Sequence, residues 1–120
     1  MAVAGKRILV VDDETDVQEF VSLVLQDHGF DVCCAGHGQE ALDKIESLHP
    51  DLVVLDLMMP VMDGWGVLES LKHLPDPPAV IILSAYPDEW RAFKAGAWEC
   101  LGKPFEPEDL VATCERALDS

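Results

Sequence analysis

Three short apolar runs each stop abruptly on a polar residue: Ile8-Leu9-Val10-Val11 on Asp12-Asp13, Leu52-Val53-Val54-Leu55 on Asp56, and Ala79-Val80-Ile81-Ile82-Leu83 on Ser84. Unbroken apolar runs of this length read as strands buried on both faces, an environment found almost only in parallel sheets covered by helices. The intervening stretches supply those helices. Val17, Phe20, Val21, Val24 and Leu25 follow the spacing of a helix that starts near Thr15 with one buried face, and Gly29 ends it. Ala41, Leu42, Ile45 and Leu48 do the same for a helix from about Gln39 to Leu48, after a short strand Phe30–Cys34.

From Met58 to Gly64 the Pro60 and Asp63-Gly64 positions predict a loop, and a helix resumes by Gly66 with Val67, Leu68, Leu71 and Leu74 inward. Pro75 to Pro78 break that helix before the run that ends at Ser84. A short helix from about Asp88 to Ala95 stops at Gly96, and Trp98–Leu101 is the fifth strand, closed by Lys103-Pro104. Pro107-Glu108-Asp109 starts a last helix whose inward residues are Leu110, Val111, Cys114, Ala117 and Leu118. Five strands alternating with five helices through short connections imply right-handed crossovers and one doubly wound parallel α/β sheet. With 120 residues, 49% hydrophobic and 26% charged, the expectation is a single domain over residues 1–120, residues 1–5 forming a loose lead.

The net charge of −15, from 23 acidic and 8 basic residues, repels nucleic-acid backbones and anionic lipid headgroups, so neither is an expected direct partner. No apolar run approaches the ~20 residues that span a bilayer, and no signal-peptide pattern opens the chain, so a cytoplasmic protein is expected. Cys33, Cys34, Cys100 and Cys114 lack metal-ligand spacing and read as thiols packed as small hydrophobes. His28, His37, His49 and His73 read as surface residues.

The polar interruptions carry the chemistry. Asp12, Asp13, Asp56, Ser84 and Lys103 all fall at carboxyl ends of strands, and in an open parallel sheet those ends share one edge, with a ligand crevice where chain order reverses. Clustered carboxylates repel by on the order of 4 kcal/mol per close pair at moderate dielectric, and a hard cation such as Mg²⁺ offsets that repulsion. Asp56 can then act as a nucleophile toward phosphorus, while Lys103 neutralises phosphoryl oxygens and Ser84 donates a hydrogen bond to the product.

Val10-Val11-Asp12-Asp13-Glu14, Leu55-Asp56-Leu57-Met58-Met59-Pro60-Val61-Met62-Asp63-Gly64, Ser84-Ala85 and Lys103-Pro104-Phe105 resemble the receiver domain of two-component response regulators, over nearly the entire chain. The resemblance implies a flavodoxin-like sheet of strand order 2-1-3-4-5. It implies that Asp56 is the phosphoacceptor, that Mg²⁺ is held by Asp13, Asp56 and the backbone carbonyl of Met58, with Asp12 acting through water, and that Ser84 and Lys103 contact the phosphoryl group. The implied partners are a sensor histidine kinase or phosphotransfer protein upstream, and downstream either a docking protein or an output domain outside this sequence. The implied species is a monomer or weak dimer that phosphorylates and dephosphorylates itself rather than turning over a substrate.

Two departures bear on how such a signal is read. The family places an aromatic three positions before the lysine, where this chain has Cys100, and the 19 positions from Ser84 to Lys103 are fewer than usual. Tyr86 is a candidate substitute aromatic, although Pro87 restricts the backbone beside it. Among the tryptophans, Trp65 and Trp90 are expected to pack in the core and Trp98 to face a partner.

Rival readings are a phosphorylation-independent interaction module on the same fold and a phosphohydrolase with an aspartate nucleophile. The latter normally needs a second aspartate two positions on, where Met58 stands, and a capping segment. A flavin-binding reading fails because the loop after the first strand is acidic.

Overall fold

In the computed structural model the described residues are 5–57, 64–85 and 88–119, the Glu89 side chain excepted. Ten elements alternate in sequence: β1 (Arg7–Val11), α1 (Thr15–Asp27), β2 (Asp31–Ala35), α2 (Gly38–Leu48), β3 (Leu52–Asp56), α3 (Gly64–Leu71), β4 (Ala79–Ser84), α4 (Glu89–Lys94), β5 (Glu99–Gly102) and α5 (Pro107–Asp119). The strands form one parallel sheet in the order β2-β1-β3-β4-β5.

Side chains of a strand point alternately to the two faces, and the two halves of the core follow that alternation. Leu9, Val11, Val53, Leu55, Val80 and Ile82 face one side, where Ala41 and Ile45 of α2, Val67, Leu68 and Leu71 of α3 and Ala92 of α4 cover them. Ile8, Val10, Leu52, Val54, Ile81 and Leu83 face the other, under Val21 and Leu25 of α1 and Leu110, Val111, Cys114 and Ala117 of α5. All five residues of β3 are buried, as a central strand covered on both faces requires. The chain leaves β1 outward to β2 and then crosses back to β3, so the reversal of order falls between β1, which runs into Asp12, and β3, which ends at Asp56.

Local chemistry sets several boundaries. His37 caps α2, its Nδ1 accepting from the Glu40 amide at 3.2 Å, and His49 ends the helix in the left-handed region. Asp88 caps α4 by accepting from the Arg91 amide at 3.0 Å, and Gly96, at φ 97°, takes the chain out of it. All four histidines are exposed, as expected.

Some expectations need correction. Helix α3 starts at Gly64, two residues early, and ends at Leu71, so Leu74 lies beyond it and is 37% exposed. Phe20, expected inward on α1, is 45% exposed and meets Phe105 with ring centroids 6.5 Å apart. Trp90 is not a core residue: it is 68% exposed on α4, with the Lys94 ammonium 5.2 Å from its ring centre. Trp65 is half-buried against the core, with the Arg91 guanidinium 4.0 Å over its ring. Strand β5 begins at Glu99 rather than Trp98, although the Trp98 amide already donates to the Val80 carbonyl at 2.7 Å. Trp98 is partly exposed. All four cysteines are free thiols, Cys100 and Cys114 buried and Cys33 and Cys34 half-buried; burial pushes the Cys114 thiol up to about 12, which keeps it protonated and unreactive.

Candidate functional site

The site is the edge where β1, β3 and β4 end together. Val11 is in register with Leu55, and Asp56 with Leu83, so Asp12 leaves β1 beside the end of β3 while Ser84 closes β4 one strand over. The Asp12 amide prolongs the β1–β2 ladder by donating to the Ala35 carbonyl at 3.1 Å. Its Oδ1 accepts from the Glu14 amide at 2.9 Å, a local turn that holds the carboxylate at the mouth of the sheet. Asp12, Asp56 and Ser84 are only 1%, 2% and 6% exposed, whereas Asp13 faces solvent.

These placements bring Asp12, Asp13 and Asp56 together, each offering an oxygen within 4.8 Å of the others. Lys103 reaches in from the end of β5. Its amide donates to the Ser84 carbonyl at 2.8 Å, continuing the β4–β5 ladder past Gly102, and its ammonium lies 3.4 Å from Asp56 Oδ1 and 3.8 Å from Asp12 Oδ2. The Lys103-Pro104 peptide is cis. Asp12, Asp13, Asp56 and Lys103 therefore form one cluster with Ser84 on the same edge; Met58, Tyr86 and Pro87 lie outside the described residues.

Among the described residues one ammonium faces three carboxylates, and the imbalance shows in Asp12. Burial pushes its carboxyl up to about 6; the Asp56 and Asp13 charges add to the rise, while the Glu14 amide and Lys103 oppose it. Among the described residues, buried Asp12 Oδ2 has no hydrogen-bond partner. A buried carboxylate oxygen without a donor is costly, and an oxygen-lined, negatively charged edge of this size suits a hard divalent cation.

Two contributors escape a reading of the sequence alone. Gly64 lies so close to β3 that a Cβ there would stand 2.8 Å from Leu57 Cα and 2.9 Å from the Asp56 carbonyl oxygen, and its amide donates to the Leu57 carbonyl at 3.0 Å. The Asp63-Gly64 pair signals only a turn. Gln18 on α1 donates from Nε2 to the carbonyls of Asp12 and Ala35. In sequence it is one polar residue on a helix face.

Residues 8–115 match the family model of the response regulator receiver domain. This chain is a response-regulator receiver domain. The receiver is 39% identical over 115 residues to the probable transcriptional regulator ycf27 of Porphyridium aerugineum, covering 94% of this chain and 48% of that protein. It is likewise 39% identical over 115 residues to the DNA-binding response regulator MtrA of Mycobacterium tuberculosis, covering 94% and 50%. The chain thus spans about half the length of these curated relatives. Among solved structures, a putative response regulator from Chloroflexus aurantiacus superposes with a TM-score of 0.91 at 33% identity, covering 97% of this chain and 99% of that one.

Within the receiver, Cys100 occupies the position that the resemblance assigns to an aromatic. It is buried in β5 in register with Ile82, and beside it a cleft of about 410 Å³ opens between Ala92, Phe93, Ala97 and Trp98. Among the described residues no helix is long and apolar enough to cross a membrane.

Proposed function

We propose that Asp56 accepts a phosphoryl group from the phosphohistidine of a sensor kinase or phosphotransfer protein, in a reaction that requires Mg²⁺. The observation that carries the reading is the cluster itself: three carboxylate oxygens within 4.8 Å of one another, one of them on the nearly buried Asp56, with the Lys103 ammonium 3.4 Å from that residue. A carboxylate oxygen of Asp56 forms the bond to phosphorus as the phosphorus–nitrogen bond of the donor breaks, and the imidazole leaves with the bonding electron pair. Lys103, already against Asp56 Oδ1, neutralises the phosphoryl oxygens as charge gathers on them, and the Ser84 hydroxyl donates a hydrogen bond to the product. Asp13, Asp56 and the Met58 carbonyl would hold the Mg²⁺, with Asp12 contributing through water. Bound there, the ion supplies the positive charge that the three carboxylates lack.

The modification adds about 1.5 to 2 negative charges at a nearly buried edge and biases a two-state element of the fold. A downstream docking protein or an output domain then reads that state in the cytoplasm. The acidic surface argues against direct nucleic-acid contact by these 120 residues themselves.

Exposure of the purified chain to a small-molecule phosphodonor, followed by intact mass measurement, tests the reading. One phosphoryl adduct is expected with Mg²⁺ present and essentially none in excess chelator. An adduct that forms equally well without divalent cation, or no adduct under either condition, contradicts it.

A further inference from the structure

The pocket keeps Asp12 and Asp13 close to Asp56 although their charges drive them apart, so something outside the carboxylates must hold the Asp12–Asp13 backbone in place. The described hydrogen bonds show what does. The Asp12 amide is tied to β2 through the Ala35 carbonyl, and the Asp12 carboxylate is tied to the Glu14 amide. The Asp12 carbonyl, which belongs to the peptide leading into Asp13, is met by the side chain of Gln18.

That same amide nitrogen also donates to the Ala35 carbonyl at 3.2 Å, so one carboxamide joins the carboxyl ends of β1 and β2. Gln18 is itself fixed. It lies in the first turn of α1, where its backbone amide donates to the Glu14 carbonyl at 3.1 Å, and it is half-buried beside Gly36. The β2–α2 connection is held from its other side, where Glu40 accepts from the Gly36 amide at 2.8 Å and pairs with Lys44 at 3.1 Å. The clamp therefore rests on two anchored walls.

We infer that Gln18 is a positioning residue for the cation pocket: its bridge between the Asp12 and Ala35 carbonyls fixes the Asp12–Asp13 peptide, so that the acidic side chains are already in place when the ion arrives. This rests on the Mg²⁺ reading above. Without the bridge the Asp12 carbonyl turns to water and the peptide can rotate to relieve the carboxylate repulsion. Ion binding must then restore the lost arrangement, and an unorganised site binds more weakly in proportion to the fraction of time it is correctly formed.

The test is calorimetric titration of Mg²⁺ into the wild type, Gln18→Met and Gln18→Glu, with urea unfolding of each in chelator. Methionine keeps the length and bulk of the side chain and removes the donor; glutamate keeps the shape and sets a carboxylate oxygen against two carbonyls. Gln18→Met should raise the Mg²⁺ Kd about fivefold to tenfold while shifting the Mg²⁺-free urea midpoint little. Gln18→Glu should also weaken binding despite adding a negative charge near the pocket, a result that simple electrostatic attraction would reverse. If the wild type binds Mg²⁺ and both variants match it within twofold, the role of Gln18 is overturned while the pocket stands. If the variants lose Mg²⁺-free stability but not affinity, Gln18 is only a structural strut. Absence of Mg²⁺ binding by the wild type overturns the pocket reading and the role of Gln18 with it.

Discussion

Gly64→Ala should cost the fold about 3 kcal/mol and disable the site at the same time. Its Cβ would stand 2.8 Å from Leu57 Cα, 2.9 Å from the Asp56 carbonyl oxygen and 2.7 Å from Leu57 Cδ2. A flexible side-chain tip could swing away, but two of these atoms are backbone at the end of the fully buried β3. Relief must come from moving the start of α3 or the Asp56–Leu57 peptide, and forced movement of packed backbone costs roughly 1–3 kcal/mol or more. Either motion strains the hydrogen bond from the Gly64 amide to the Leu57 carbonyl. Because Asp56, the proposed phosphoacceptor, sits on the displaced peptide, phosphoryl acceptance should also fall by at least about tenfold, since misplacement on the order of 1 Å can cost that much or more. Gly36→Ala is the control for the urea midpoint, as a Cβ there would meet only side-chain atoms, Gln18 Nε2 and Glu40 Oε1, both at 3.7 Å. Urea midpoints and adduct formation check both effects; an unshifted midpoint for Gly64→Ala would show that the close approach is not maintained in solution.

The second large effect is a pH dependence that reverses with the ion. Without divalent cation, burial and neighbouring charges raise the Asp12 carboxyl from 3.8 to about 6. Between those values the folded chain binds more proton than the unfolded one, so this group's contribution to stability falls as pH rises through that window. Each tenfold change in proton affinity is worth about 1.4 kcal/mol, which puts the loss by pH 7 on the order of 2 to 3 kcal/mol. Asp12→Asn should remove this group's share of the slope and leave the Mg²⁺-free chain more stable than the wild type at pH 7, with little difference near pH 4. Mg²⁺ should stabilise the wild type strongly at pH 7 and weakly at pH 5, where protons compete for the pocket. Urea unfolding at several pH values, with chelator or with Mg²⁺, measures all four slopes. Parallel curves for wild type and Asp12→Asn in chelator would contradict the electrostatic account.

The sheet and the acidic edge were legible because their signals are local. A strand buried on both faces must be a continuous apolar run, and the first polar residue after such a run marks a sheet edge, which is how Asp12, Asp56 and Ser84 declared themselves. Positions set by tertiary contact were not. Gln18 looks like any polar residue of an amphipathic helix, and only the folded proximity of Ala35 gives its amide a second acceptor. Trp90 reads as a core residue because large aromatics usually pack, but a six-residue helix is too short for periodicity to define which face is inward. Phe20 meets the periodic pattern of α1 yet lies at the margin of its buried face, where it leans on Phe105 instead of entering the core. Gly64 reads as a turn residue because its constraint comes from β3 passing beneath it.

The central claim is that Asp56 itself carries the phosphoryl group, and locating the adduct tests it most directly. After treatment with phosphodonor and Mg²⁺, borohydride reduction converts an aspartyl phosphate to homoserine, which peptide sequencing by mass spectrometry can place. The account predicts homoserine at position 56 and nowhere else, and none in Asp56→Asn. Homoserine at Asp12 or Asp13, or an adduct of undiminished yield in Asp56→Asn, would contradict it.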